Sequence, residues 1–475
     1  MSTFVEAVAN QESRTTNGMK ARKSTASACV DLFFKIGASR GKNIIPEFTA
    51  AYVEDSDLAL RIVQWARDAR GGGGERELFR QVLRHLEVAN PQDAMRLVAK
   101  VPELGRYDDL LVFKTAPLKT QAFTLLGDAL RAGNGLAAKW TPRKGDTARE
   151  IREFFGMTPK QYRKSLVNLT KVVETQMCAK DFDNIEFSHV PSVAHARYKK
   201  AFTRNTDKYA EYVQKLVKGE AGVKINAGAV YPYDVLKGAV NGYQRSAMSA
   251  TELNAMSAQW DALPNYVGDA RVLPMVDSSG SMTCQAGGRQ SKSTMTCLEV
   301  ALGLGLYFAD KNTGAFKDTF LTFSAQPKLV TLKGSIVDKL NQMNTGEVAN
   351  TNLHAAFNKV LEVAVKNGVP QSEMPETLLI LSDMQFDQGC SGKDESAMTM
   401  IERKYAAAGY TVPRIVFWNL NAHDNVPVKF DKTGTALVSG FSPAIADAVL
   451  TGDLEDFTPY NVMLKAVMKP RYNLA

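Results

Sequence analysis

Residues 271–276 read RVLPMV and run directly into Asp277-Ser278-Ser279-Gly280-Ser281. A short apolar run that stops at a carboxylate and two hydroxyls has the form of a buried strand delivering a ligand loop at its carboxyl end. The spacing Asp-x-Ser-x-Ser gathers three hard oxygen donors in one tight turn, the donor type that Mg²⁺, Mn²⁺ and Ca²⁺ take. Gly280 lets the backbone turn between the two serines. Two further loops carry the same chemistry. Asn350-Thr351-Asn352 precedes a helical pattern and offers a hydroxyl, and Ser382-Asp383 closes the apolar run Thr377–Leu381 and offers a carboxylate. Asp277, Ser279, Ser281, Thr351 and Asp383 are therefore the expected metal ligands.

Outward from this loop, strand and helix patterns alternate. Cys297–Asp310, Leu353–Val365 and Ala397–Ala408 read as helices. Phe320–Phe323 and Leu329–Leu332 read as a hairpin, and Arg414–Trp418 and Ala436–Ser439 as further strands, with a last helix at Ala444–Val449. This alternation predicts a doubly wound α/β domain with a mostly parallel sheet, over residues 268–475. His354 sits in the first turn of its helix, where a packed or capping role is expected rather than a catalytic one. No nucleophile–base pair, P-loop or HExxH motif occurs, so an enzyme is not expected.

Upstream the pattern changes. Residues 25–267 carry amphipathic helical runs such as Asp57–Ala69 (DLALRIVQWARDA) and Glu77–Leu86 (ELFRQVLRHL), joined by short breaks. They predict an all-α array of paired helices of HEAT-like kind, although no strict repeat period is found. Residues 1–24 are polar and are expected to be mobile. The run Gly71-Gly72-Gly73-Gly74 lacks the Lys-Ser/Thr of a P-loop; it reads as a flexible turn between helices, or as a phosphate cradle built from backbone N–H groups.

Charge divides the chain at the same place. Residues 1–268 hold 39 Lys and Arg against 29 Asp and Glu, while the whole chain carries a net +8, so the remainder is slightly acidic. The most basic stretch, 139–246, interleaves its cations with Trp140, Tyr162, Tyr198 and Phe202. That mixture suits phosphate contacts with base stacking, and equally a helix whose aromatics face a core. Arg143, Lys144, Arg163, Lys164, Arg197, Lys199, Lys200 and Arg204 are the expected nucleic-acid contacts. The five cysteines form no CxxC pair, no apolar run reaches the length of a membrane span, and residues 1–20 lack the form of a signal peptide. A cytoplasmic protein, or a virion component if virus-encoded, is expected, with no membrane partner.

The three loops resemble the metal-ion-dependent adhesion site of von Willebrand factor A domains, with Asp277, Ser279 and Ser281 matching the first loop, Thr351 the second and Asp383 the third. That resemblance implies one divalent ion with a position open to an acidic residue of a partner. Arg67–Arg76 (RDARGGGGER), Ala138–Pro142 (AKWTP), Gln161–Leu166 (QYRKSL), Val190–Phe202 (VPSVAHARYKKAF) and Val230–Leu236 (VYPYDVL) resemble, as a set, an uncharacterised family of phages, large viruses, fungi and plants. In build that family is similar to the TROVE proteins, such as the Ro autoantigen, whose helical ring and von Willebrand A domain bind RNA. The resemblance implies a non-enzymatic, metal-dependent RNA-binding protein of ribonucleoprotein assembly or RNA quality control. The alternative is an assembly or virion component whose metal grips an acidic side chain of a protein partner.

Overall fold

The computed structural model describes residues 12–241, 244–245, 248–287, 295–323, 326–344, 352–386, 397–421, 423, 425–451 and 454–474. Its centre is a six-stranded sheet. The strands are β5 (Val272–Asp277), β6 (Thr319–Phe323), β7 (Leu329–Thr331), β8 (Thr377–Ser382), β9 (Arg414–Asn419) and β10 (Thr435–Ser439), in spatial order β10-β9-β8-β5-β6-β7. All neighbours pair in parallel except β6 and β7, which form the expected hairpin. Every residue of β5, β6, β8 and β10 is buried. Burial on both faces explains why these strands read as unbroken apolar runs rather than as alternating ones.

After β5 the chain moves to β6 and β7 on one side, then returns to β8 on the other. The strand order thus reverses between β5 and β8, where their carboxyl ends leave a crevice. The helix Cys297–Lys311 follows β5 and starts at a capping box formed by Thr296 and Glu299. It lies so close to the sheet that a Cβ on Gly305 would stand 2.4 Å from Val276 Cγ2. Its other face meets Pro232–Leu236: a Cβ on Gly303 would stand 2.8 Å from the Cα of Tyr233.

The N-terminal region is helical, from Ala28–Ile36 to Ala250–Asp261, with helices of 4 to 16 residues interrupted by short 3-10 turns. Its first helix lies against β10. Ser439 Oγ donates to the carbonyl of Phe33 (2.8 Å), the Gly37 N–H donates to Ser439 Oγ (3.0 Å), and Asn419 Nδ2 donates to the carbonyl of Phe34 (3.2 Å). Most of the helical region therefore shares one hydrophobic core with the sheet. A smaller second core gathers Phe187, Phe202, Tyr209 and Tyr212 around Val190 and Val213.

Two expectations change. Mobility of residues 1–24 does not hold for 12–24, and residues 1–11 lie outside the described residues. Strands β1 (Glu12–Arg14) and β2 (Lys20–Arg22) form a hairpin. Arg22 exchanges backbone hydrogen bonds with Val426, and the hairpin turn bonds to the loop after β8, with Asn17 Nδ2 on the carbonyl of Gln385 (2.8 Å). Polar side chains that looked destined for water are used to hold this strap. The four glycines form a closely packed turn between two helices, and half of the expected phosphate cradle is already used. The N–H groups of Gly73 and Gly74 donate to the carbonyls of Trp65 and Asp68. A Cβ on Gly72 would stand 1.9 Å from Trp65 O, and one on Gly74 1.8 Å from the Tyr231 hydroxyl. Glycine is needed there for close packing, and those two N–H groups are already used. Strands β3 (Val240–Asn241) and β4 (Gln244–Arg245) add one more antiparallel pair. Among the described residues no helix is long and apolar enough to cross a membrane.

Candidate metal centre and basic groove

Register brings two of the predicted loops together. Val276 on β5 pairs with Leu381 on β8, so Asp277 and Ser382–Asp383 leave the sheet side by side. Asp277 is fully buried. Its Oδ2 accepts from Ser382 Oγ (2.5 Å) and its Oδ1 from the Ser279 N–H (2.9 Å). Ser279 and Ser281 hydroxyls are 3.0 Å apart, and the Ser281 hydroxyl bonds to the Asp383 carboxylate. Asp383 also accepts from the Gln385 N–H (3.3 Å). Asp277, Ser279, Ser281 and Asp383 are thus one connected cluster, with buried carboxylates and an exposed rim at Ser281. Thr351 lies outside the described residues. The turn after Ser279 is a 3-10 turn, Gly280–Thr283, and Gly280 is not at positive φ. The left-handed residue of the site is instead Met384, at φ 64°, whose N–H donates to Ser382 Oγ (3.0 Å). Ser382 itself was named at the sequence level only as the neighbour of Asp383. Its hydroxyl proves to orient the Asp277 carboxylate.

Burial, and then the charge of Asp383, push the Asp277 carboxyl up to about 7. Burial likewise raises Asp383. Two buried carboxylates that resist ionising, Asp277 also under the charge of Asp383, form a site that a cation would relieve, and all the donors are oxygen. The residues present therefore fit a hard divalent ion. Among the described residues no group of three or more His, Cys, Asp and Glu could hold a metal, so the hydroxyls would have to complete the shell.

His354 is buried and occupied by other partners. Its Nε2 lies 2.8 Å from Lys404 Nζ and its ring touches Asn358; burial, and then Lys404, lower its proton affinity. Asn352 caps the same helix by accepting from the Ala355 N–H.

The basic residues distribute differently from the expectation. Lys199 is a correction: it is buried, and its Nζ donates to the carbonyl of Val235 (2.9 Å), because position 199 falls on the inner face of the helix Ser192–Asn205. Burial lowers it to about 8. Phe202 and Tyr162 also face cores, the latter donating its hydroxyl to the carbonyl of Pro142. Arg143, Lys144, Arg163, Lys164, Arg197, Lys200 and Arg204 are exposed. Of these, only Arg197 lines the broad groove of the helical region.

That groove has a volume of about 1510 Å³ and is lined by Arg76, Arg106, Lys139, Lys171 and Arg197, with Trp140 and Tyr198 among them. Arg106 is held by a bidentate pair with Asp108 and stacks on Trp140. Asp108 also pairs with Arg80, and Asp109 with both Arg67 and Arg80. Arg76 makes no ion pair among the described residues. Burial, and then the charge of Arg106, bring its guanidinium down to about 10 although it remains accessible from the groove. Lys139 pairs with Glu174 (2.6 Å), which also accepts from the Tyr198 hydroxyl. Leu136, Val167 and Val193 leave apolar surface exposed in the same groove. Sequence reading missed Arg76 and Arg106, which come from segments far from 139–246 in the chain.

Comparison with known proteins divides the chain much as the fold does. Residues 272–467 match a domain of unknown function, DUF7788, and residues 15–103 and 134–270 match another, DUF2828. An uncharacterised protein of Acanthamoeba polyphaga mimivirus is 29% identical over 96% of this chain and 87% of its own length. Among solved structures, the Ro (RSR) protein of Deinococcus radiodurans aligns with 98% of this chain and 94% of its own, at 14% identity and a TM-score of 0.39.

Proposed function

We propose that this protein binds single-stranded RNA in the groove of its helical region and holds one divalent cation at the carboxyl ends of β5 and β8. The observation that carries the first part is the groove itself. Five cationic side chains from separate segments converge beside two aromatic rings, and Arg76 makes no ion pair among the described residues. Guanidinium and ammonium groups suit phosphates, and Trp140 and Tyr198 suit stacked bases. A groove lined by both cations and aromatic rings fits a flexible strand with splayed bases better than a rigid duplex, which is read across a much wider surface.

Asp277, Ser279, Ser281 and Asp383, joined by Thr351, would hold the cation in a von Willebrand A-type site, with Mg²⁺, Mn²⁺ or Ca²⁺ as the ion. When bound, it would supply a coordination position for an oxygen ligand of a partner. No catalytic step is assigned, and the protein is read as a binding protein.

The test is binding of a fluorescein-labelled oligouridine, followed by anisotropy from low to moderate salt. Lys171→Glu with Arg197→Glu is expected to weaken binding at least tenfold; Arg163→Glu with Lys164→Glu, outside the groove, is expected to leave it within about twofold. Equal loss in both pairs would leave only unlocalised attraction to a basic surface and reject the groove.

A further inference from the structure

Just beyond the first metal loop, two thiols face each other. Cys284 ends the 3-10 turn Gly280–Thr283, and Cys297 opens the helix Cys297–Lys311. They are thirteen residues apart, yet an antiparallel bridge between Gln285 and Thr296 sets them side by side. The Cys297 N–H donates to the carbonyl of Cys284 (3.0 Å), and the Ala286 N–H to that of Met295 (2.9 Å). The two sulfurs are 3.7 Å apart. An S–S bond is roughly 2.05 Å long, so cross-strand neighbours with sulfurs this close need only a short approach to form one.

The surroundings favour that bond over a metal. Asn421 Nδ2 donates to Cys284 Sγ (3.4 Å), and Cys297 Sγ lies 3.4 Å from the carbonyl of Leu420. Among the described residues no third His, Cys, Asp or Glu joins the pair in a metal-holding group. Accessibility differs between the two: Cys284 is partly exposed and Cys297 fully buried. An incoming reagent therefore meets Cys284 first, and Cys297 is placed to attack from behind.

We propose that Cys284 and Cys297 are a redox-active pair, oxidised to an intramolecular disulfide by a low-molecular-weight disulfide such as glutathione disulfide. The thiolate of Cys284 attacks one sulfur of the reagent; its S–S bond breaks and one small thiolate leaves. The thiolate of Cys297 then attacks Cys284 Sγ, expelling the second small thiolate. The protons lost by the two protein thiols end on the two small thiols, so a two-electron oxidation of the protein balances the reduction of the reagent. Since the Cys284 N–H already donates to the carbonyl of Ser281 (3.1 Å), the new bond ties the turn that carries Ser279 and Ser281 to the base of the following helix.

The test uses the full chain, equilibrated with glutathione disulfide, capped with N-ethylmaleimide and digested without reductant. Mass spectrometry is expected to find the Cys284 and Cys297 peptides linked, about 2 Da below the sum of the separate peptides. The link should vanish with dithiothreitol and persist in Cys178→Ser with Cys390→Ser. Cys297→Ser should stop at a glutathione adduct on Cys284. Recovery of both cysteines as maleimide adducts, a lasting glutathione adduct on wild-type Cys284, or a link from either to Cys390 would overturn the proposal. Absence of the Cys284 adduct in Cys297→Ser would overturn the order of attack.

Discussion

The guanidinium of Arg106 lies over the indole of Trp140, its Cζ 3.4 Å from the ring centroid, while its nitrogens grip Asp108. One residue is thus fixed by charge on its edge and by an aromatic face beneath it. The pairing with Asp108 leaves less of its charge for a ligand, which gives Arg76 and the groove lysines the larger share in attracting phosphate. It also holds Trp140 in one orientation, at little entropic cost when a base is to be stacked.

Trp140→Ala should therefore weaken oligouridine binding by about 1–3 kcal/mol, the usual worth of one aromatic platform, with an almost unchanged salt slope. Arg76→Gln should instead lower the slope of log K against log salt by about 0.7, the value of one phosphate contact on a single strand. Anisotropy titrations at several KCl concentrations separate the two. Identical behaviour of the two variants would show that stacking and charge are not divided in this way.

At the sheet edge, millimolar Mg²⁺ or Mn²⁺ is expected to raise the unfolding temperature of the wild-type protein and not that of Asp277→Ala, because a ligand bound only by the folded state stabilises it by mass action. Differential scanning calorimetry with and without EDTA makes the measurement. Ser382→Ala should cost about 1–3 kcal/mol in metal-free protein, since it strips a hydrogen bond from the buried Asp277 carboxylate.

Acid should unfold the helical region through His195. This ring is buried, and burial, followed by the charge of Lys199, brings it down to about 3. An unfolded histidine takes its proton near 6.5, so the unfolded state binds more protons between those values. Stability is full above about 6.5 and falls as pH drops through the window toward 3, by an amount on the order of 4 kcal/mol. His195→Phe should flatten that part of a pH–stability curve measured by urea unfolding. An unchanged acid limb would assign it to other groups.

Gly305→Ala should destabilise by about 1–3 kcal/mol, because the added methyl meets Val276 Cγ2 inside a packed layer. Gly368→Ala, with open space around its Cβ but a φ of 60°, tests backbone strain alone and should cost about 1 kcal/mol. Thermal unfolding of the two variants distinguishes packing from strain.

The strands of the sheet are legible to within one residue because local sequence and final environment coincide there. After their first residues, RVLPMV, TLLIL and RIVFW are apolar throughout since both faces are covered, and each stops at a polar residue at the strand end. The helices Ile336–Met343 and Pro459–Val467 and the hairpin of residues 12–22 carry no comparable signal in the sequence. Short elements with weak patterns depend on what they pack against.

By itself the sequence determined the alternation of strand and helix beyond residue 268, the Asp-Ser-Ser loop at a strand end, and the surplus of positive charge upstream. These are local properties, set by periodicity and residue type. Tertiary structure alone decided that Lys199 points into a core, that the glycine run is packed shut, that Arg76 and Arg106 share a groove with Lys171 and Arg197, and that Cys284 meets Cys297. Each depends on which segments the fold brings within a few ångströms of one another, and neither the spacing nor the composition of any single stretch encodes such a distance.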